Sequence, residues 1–464
     1  MTKIATDKER NIIDDFAEEI KKRATKTATP KKTVIDFRNE TKDCNERDVY
    51  VVPIELLRFR KDNGRIASDV LSYEKNYGPL SETRKEDQEI IEKFLYDKDR
   101  DKTDELMKSL IHSGQREPAI ITCDGFLING NRRKMAFEKL FQANPGNENF
   151  KSMRVVILPG KGEAGGPPTL KEIELIENRY QLQSDGKAEY YNFDRALSMR
   201  HKMQLGISLE EQLRDDPNFA ALPGKEFKKA TKKISDEYLG PLECVDKYLD
   251  YLGRQGLYNT VSEGREGRWQ AFIDYYQSVH KKIYDDKQRI KMRVKEDEIG
   301  KIENAAFKII RKKDLPDLGK VHAIMRDFPR ILSEPGAKEE ILKIAEIDDN
   351  IPSKERYDKD GNELELRDQD KIWCGINGQE IIKRLKKAKG TTDYINETET
   401  PLELLEAAIK KLNHNKMDLS AIQLVDINKA MDLIRNLRER IRVLEGEAYH
   451  ISKNYKKMMS KKEK

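Results

Sequence analysis

Strand-like runs occur in only one part of this chain, and that confinement limits what it can fold into. They are VYVVPIELL from Val49, Ala119–Thr122, Phe126–Ile128 and MRVVILPG from Met153, all short and rich in β-branched residues. Asp124-Gly125, between the second and third runs, is the dipeptide of a tight hairpin. NRRKMAFEKLF reads as a helix with Met135, Ala136 and Leu140 on one face. TLKEIELIENRY reads as a helix opened by Thr169 with Glu172 three residues on, the spacing of a capping box. Short strands alternating with helices describe a compact α/β unit over residues 46–186. The charged stretch between Ile66 and Asp101, which includes SYEKNYGPLSETRKEDQE, is expected as an insertion in it. From about residue 187 the periodicity is helical nearly throughout, so the expected fold class is α+β, a small α/β domain followed by a mostly α-helical region.

The helical part divides by its Gly/Pro breaks. Residues 187–260 read as a succession of short helices, 261–345 as a helical domain, and 346–415 as a linker with short helices around the Lys/Asp/Gly-rich SKERYDKDGNELELRDQDK. Residues 416–464 read as a coiled-coil helix. Ile427, Ile434 and Ile441 recur every seventh residue, and Ala430, Leu437, Leu444 and Ile451 form a second series offset by three. Isoleucine at a with leucine at d favours a parallel two-stranded coil and hence a homodimer. The other reading is one amphipathic helix packed on its own chain, and Gly446 and Ala448 weaken the seam. Residues 1–45 open with Ile12, Ile13, Phe16 and Ile20 at amphipathic spacing, then KRATKTATPKKT, expected as a flexible basic tether. Such a tether is either a solvated tail or a peptide that binds a protein partner. No repeat of fixed period is evident.

Composition bounds the partners. Of 464 residues 37% are charged and 37% hydrophobic, a balance suited to several small modules rather than one large core. The 89 basic and 84 acidic residues leave a net charge of only +5, so any nucleic-acid surface must be a local patch. Cys44, Cys123, Cys244 and Cys374 are far apart and form no CxxC or Cys/His cluster, which argues against a structural zinc and for a reducing, intracellular setting. The N-terminus lacks an apolar signal core and no apolar run is long enough to span a bilayer, so neither secretion nor a membrane is expected.

Three short motifs carry the chemistry: LLRFRKDNGRI (Leu56–Ile66), GNRRKMA (Gly130–Ala136) and ELIENRYQ (Glu174–Gln181). Gly130 falls where strand turns into helix, so backbone N–H groups and a helix N-terminus point outward together and attract phosphate. Arg132 and Arg133 add forked cationic donors suited to phosphoryl oxygens. Glu177 and Asn178 supply oxygen ligands of the type that hold a hard divalent cation. Each motif alone is a weak signal; the weight lies in having all three in order, with DELMKSLIHSGQREPAIIT between the first and second.

In that order the motifs resemble the ParB/sulfiredoxin-like domain, and ParB more closely than sulfiredoxin. Arg65 falls on the arginine of the family's first box, Gly114 and Pro118 on its helix–strand junction, Gly130, Arg132 and Arg133 on its GERR box, and Glu177 and Asn178 on its ENxxR helix. The resemblance covers about 150 residues and implies binding of CTP with Mg2+. Two departures stand out. Asn131 replaces the glutamate of GERR, which the family links to hydrolysis, and Gln181 replaces the arginine of ENxxR. Sulfiredoxin chemistry is disfavoured because the GNRR motif holds no cysteine.

The resemblance also implies a helix-turn-helix beyond the α/β domain. FKKATKKISDEYLGPLECVDKYLDYL is the candidate, with its turn at Gly240-Pro241, Lys228, Lys229, Lys232 and Lys233 as phosphate contacts and Lys247 on the second helix. An ordinary helical hairpin with a solvated basic face is the other reading. The function expected is a DNA-associated protein in which a nucleoside triphosphate acts as a switch for DNA binding or clamping. Its rivals are an enzyme using the fold for phosphoryl transfer or nucleic-acid cleavage, and an adaptor whose nucleotide site is vestigial.

Overall fold

The computed structural model describes residues 10–28, 32–35, 37–38, 46–98, 100–182, 191–214, 216–262, 267–414 and 417–462. Cys44 and part of the expected N-terminal tether lie outside them. The chain forms two units, Met1–Thr392 and Asp393–Lys464.

The first unit opens with α1 (Asp14–Arg23), β1 (Thr25–Lys26), β2 (Lys32–Val34), β3 (Glu46–Asp48) and β4 (Tyr50–Pro53). There follow α2 (Ala67–Tyr77), α3 (Lys85–Lys98), α4 (Arg100–Ser113), β5 (Ala119–Ile121), β6 (Leu127–Asn129), α5 (Asn131–Ala143), β7 (Ser152–Ile157) and α6 (Leu170–Leu182). The main sheet is mixed, in the order β1-β4-β7-β5-β6, with only β5 and β7 parallel. Alternation along the strands builds two faces. Val52, Ala119, Ile121, Leu127, Met153 and Val155 face the helices α2–α5. Ile120, Ile128 and Val156 turn the other way, onto Ile173 and Ile176 of α6. The expected hairpin forms: Gly125 has φ 87 and its N–H donates to Thr122 O at 2.9 Å. A Cβ there would collide with the carbonyl oxygen of Leu56. The expected capping box forms too, Thr169 N donating to Glu172 Oε2 at 2.7 Å and Glu172 N to Thr169 Oγ1 at 3.2 Å.

One expectation for this part needs correcting. The segment before residue 46 is not a free tether where it is described. β1 extends the main sheet, β2 pairs with β3, and Arg10 holds the hairpin turn through both Asp124 oxygens at 2.7 Å. Ile20, Ile35 and Phe37 are buried. These apolar residues, set among lysines, are what dock it. The stretch after Ile66, expected as an insertion in the domain, packs into it: Val70, Leu80, Ile91 and Leu95 belong to the same core as Phe59, Ile121 and Met135.

The helical array comprises α7 (Asn192–Gln204), α8 (Leu209–Arg214), α9 (Pro217–Ala220), α10 (Gly224–Ile234), α11 (Gly240–Tyr251), α12 (Asn259–Ser262), α13 (Gly267–Tyr275), α14 (Lys281–Ile283), α15 (Asp286–Lys291), α16 (Ile299–Lys312), α17 (Val321–Ser333), α18 (Pro335–Ala345) and α19 (Leu366–Leu412). One apolar cluster runs from Phe193 to Ala388, through Trp269, Phe307, Phe328 and Trp373. The expected boundaries at 260 and 345 therefore do not separate independent cores. The expected linker over 346–415 is largely α19, because Trp373, Ile381, Leu385 and Ala388 recur on one buried face under a charged exterior.

The second unit takes the part of α19 after Thr392 and ends in α20 (Ile427–Lys462). No described helix is long and apolar enough to cross a membrane.

Candidate functional site

The first motif, Leu56–Ile66, meets the third, Glu174–Gln181, through a buried quartet of charges. β4 leads into Phe59-Arg60, and Asn63 Oδ1 accepts the Arg65 N–H at 3.0 Å, closing the short 3-10 turn Gly64–Ile66. Arg60, 4% exposed, reaches α6 and donates to Glu174 Oε1 at 2.8 Å and Glu177 Oε2 at 3.2 Å. The Gly64 N–H donates to Glu177 Oε1 at 3.3 Å. Next to Glu177 on α6, Asn178 Oδ1 accepts from Lys202 of α7 at 3.0 Å, and its Nδ2 donates to Gln212 O at 3.1 Å. Two cations and two carboxylates thus balance in a buried place, as buried charges must.

Burial pushes the Glu177 carboxyl up and the charge of Glu174 pushes it further, against the pull of Arg60 and Lys202. Burial alone would lower the Arg60 guanidinium, but Glu174 and Glu177 outweigh it and hold Arg60 above the usual arginine range.

The second motif begins where β6 of the hairpin ends. Gly130 caps α5 with φ 92, a backbone that favours glycine, and a Cβ there would stand 2.7 Å from the Cβ of Ala119. Its two roles are to turn strand into helix and to let β5 approach. Arg133 donates to the carbonyl of Glu117. Burial lowers its guanidinium, and the neighbouring Arg154 adds to that, while Glu117 and Tyr180 of α6 oppose it. Gly114, at φ 66, ends α4, and Gln115 then clamps β7 with hydrogen bonds of 2.7 Å to both the N–H and the carbonyl of Arg154. The expected junction at Gly114–Pro118 is therefore tied to the strand next to the arginines. Asn131 Oδ1 is buried without a hydrogen-bond partner at the first turn of α5. Arg65 and Arg132 are half-buried.

The first and third motifs, far apart in sequence, are thus joined by Arg60 and Gly64, Lys134 of the second lies over the Phe59 ring of the first at 4.0 Å, and α6 packs on β6. Glu177 and Asn178 do not fit a resident metal as they stand. Their oxygens already take Arg60, Gly64 and Lys202, so a divalent cation would add charge to a set that is balanced. No group of three or more His, Cys, Asp or Glu side chains placed to hold a metal occurs among the described residues.

Sequence reasoning missed Arg60, Glu174, Lys202 and Gln212. Lys202 carried a signal: it lies three residues after Met199 and six after Ala196, on the buried face of α7. Arg60 carried a weaker one, an arginine directly after the buried Phe59.

The candidate DNA surface is different in kind. Lys228, Lys229, Lys232 and Lys233 are all exposed along α10, and Lys233 is 3.6 Å from Glu237. Lys247 instead donates to the Tyr284 hydroxyl at 3.1 Å and to Glu303 at 3.4 Å. The chain does not turn at Gly240-Pro241. A π-helical segment, Ser235–Leu239, joins α10 to α11, and Gly240 is helical at φ −62 and ψ −47. Pro241 sits in the first turn of α11, where its missing N–H is tolerated, and Gly240 is needed because the ring of Tyr276 lies where its Cβ would be.

No family model matches the chain, and no similar protein is found among curated proteins or solved structures.

Proposed function

We propose that residues 46–182 bind a nucleoside triphosphate, with CTP the first candidate, and that the bound state acts as a switch in a DNA-associated protein. The observation that carries this reading is the contact among the three motifs: Gly64 is bonded to Glu177, Lys134 lies over the Phe59 ring, and α6 packs on β6, which leads into the Gly130 cap. Arg132, Arg133 and the first amides of α5 take the phosphates. Magnesium enters with the triphosphate rather than as a resident ion. Asn131 carries no carboxylate to activate water, so the nucleotide is bound and not consumed.

The switch has a physical route. The Gly64–Ile66 turn abuts α7, and the Ser68 N–H donates to Asp194 Oδ1 of that helix at 3.0 Å. A ligand that fixes the turn thereby biases the helical array, in proportion to its different affinity for the two arrangements. The lysines of α10 supply the DNA phosphate contacts, and α20 pairs two copies into a homodimer.

Calorimetry with the four ribonucleoside triphosphates, with and without Mg2+, tests the site. Binding is expected for at least one, weakened by about 1.5–3 kcal/mol in Arg133→Ala, the range for a hydrogen bond to a charged group. The nucleotide should be recovered intact. If no triphosphate binds at tens of micromolar, the reading fails.

A further inference from the structure

The outer face of α20 carries more information than a hydrophobic seam. Ile434, Leu437, Ile441 and Ile451 are 44%, 41%, 46% and 69% exposed, so nothing within the described chain covers them. With Ile434 and Ile441 at a and Leu437 and Leu444 at d, the flanking e positions hold Arg438 and Glu445, and the g positions Arg440 and Glu447. All four are exposed. Both arginines thus precede both glutamates along the helix, and e and g charges are what set orientation in a coiled coil.

Resting on the pairing of α20 proposed above, we infer that this helix binds the same helix of a second copy antiparallel, centred between Ile441 and Leu444. In that arrangement e faces e and g faces g. Arg438 then meets Glu445 of the second copy, and Arg440 meets Glu447, each twice by symmetry, giving four attractions. A parallel pair, which brings g against the following e, gains only Arg440 with Glu445, twice. The filling of the layers favours the same choice, against the parallel preference of isoleucine at a with leucine at d. Antiparallel layers oppose a to d, so Leu437 covers Ala448, Ile434 meets Ile451 and Ile441 meets Leu444. A parallel pair stacks Ala430 on Ala430 and Ala448 on Ala448, leaving two thin layers where large-on-small alternation would fill the space. Antiparallel pairing also sets the two Ile427 ends about 46 Å apart along the helix axis, at 1.5 Å per residue.

Charge exchange in the full-length chain, read by sedimentation equilibrium, tests this. The substituted side chains are exposed, so folding is not at stake. Arg438→Glu and Glu445→Arg should each weaken the dimer about tenfold, ~1.4 kcal/mol, from two attractions lost and two repulsions gained at a few tenths each. The two together should restore wild-type affinity, because the exchanged charges meet again with opposite sign across the seam. If Arg438→Glu is neutral and the double variant is as weak as Glu445→Arg, the pair is parallel; the orientation is overturned while the pairing stands. If the wild-type chain is a monomer at tens of micromolar, or its dimer ignores all three variants, the pairing of this helix is itself overturned.

Discussion

Glu177 is the residue on which two roles compete. A metal ligand at the edge of a nucleotide site and a buried counter-ion for Arg60 call for different outcomes on replacement. Removing the carboxylate leaves Arg60 with Glu174 alone and takes the acceptor from Gly64. Breaking a buried ion pair in this way costs about 3–5 kcal/mol. Glu177→Ala should therefore lower the thermal unfolding midpoint in metal-free buffer, where loss of a ligand to Mg2+ alone would leave it unchanged. Glu340 offers the pH counterpart. Hydrogen bonds from Lys387 and then Arg384 hold its carboxyl down at about 2, against an ordinary value of 4.5. A depressed carboxylate contributes stability above its unfolded value and loses it as pH falls through the folded one. The advantage of the wild type over Glu340→Gln in urea unfolding should be constant near neutrality and shrink steadily as pH falls from 4.5 towards 2. A gap as large at pH 2 as at neutrality would falsify the assignment. Neither residue was legible as a partner in the sequence, since the groups that hold Glu177 and Glu340 come from other elements, more than 40 residues away for Arg384 and more than 110 for Arg60.

At the scale of elements the sequence spoke clearly where local chemistry decides. The Asp-Gly hairpin and the Thr169 capping box are contacts within a few residues, and both form as expected. Gly240-Pro241 misled because the same dipeptide serves a turn or a helix start, and only the approach of Tyr276, from a segment about 36 residues on, selects the helix. The π segment just before it is an insertion of the kind frequent at functional sites, and it joins α10 to α11 without a break. The basic face of α10 is still the best DNA candidate. Replacing Lys228, Lys229, Lys232 and Lys233 together with Ala should leave the far-ultraviolet circular dichroism unchanged, because all four are exposed. Affinity for duplex DNA should fall, and the slope of log K against log salt should flatten by roughly one unit per lost phosphate contact. A parent-like slope in the quadruple variant would mean that this face is only solvated.

For the whole molecule, the question is how the α/β domain and the helical array of the first unit hold each other. Their apolar cores are separate clusters, and polar staples cross between them. Lys98 of α3 donates to Asp194 Oδ2 of α7 at 2.8 Å and is 3.0 Å from Asp69, the Ser68 N–H takes the other Asp194 oxygen, and the Asn259 N–H donates to Ser72 Oγ at 2.8 Å. Asp194 is fully buried, so Asp194→Ala leaves Lys98 without its main counter-charge and should cost about 3–5 kcal/mol. The loss falls on the junction rather than on either core, which makes a sharper prediction than lowered stability alone. Both tryptophans, Trp269 and Trp373, lie in the core of the helical array. Tryptophan fluorescence therefore follows the array, whereas circular dichroism follows all helices. If the staples make the first unit cooperative, the two urea transitions coincide in the wild type and separate in Asp194→Ala. The same variant should weaken the influence of bound nucleotide on DNA affinity while leaving nucleotide affinity itself nearly intact, because Asp194 holds the Ser68 N–H just after the Gly64–Ile66 turn and is no part of the proposed phosphate site. Coincident transitions in the variant, or unaltered coupling, would place the route between the two parts elsewhere than α7.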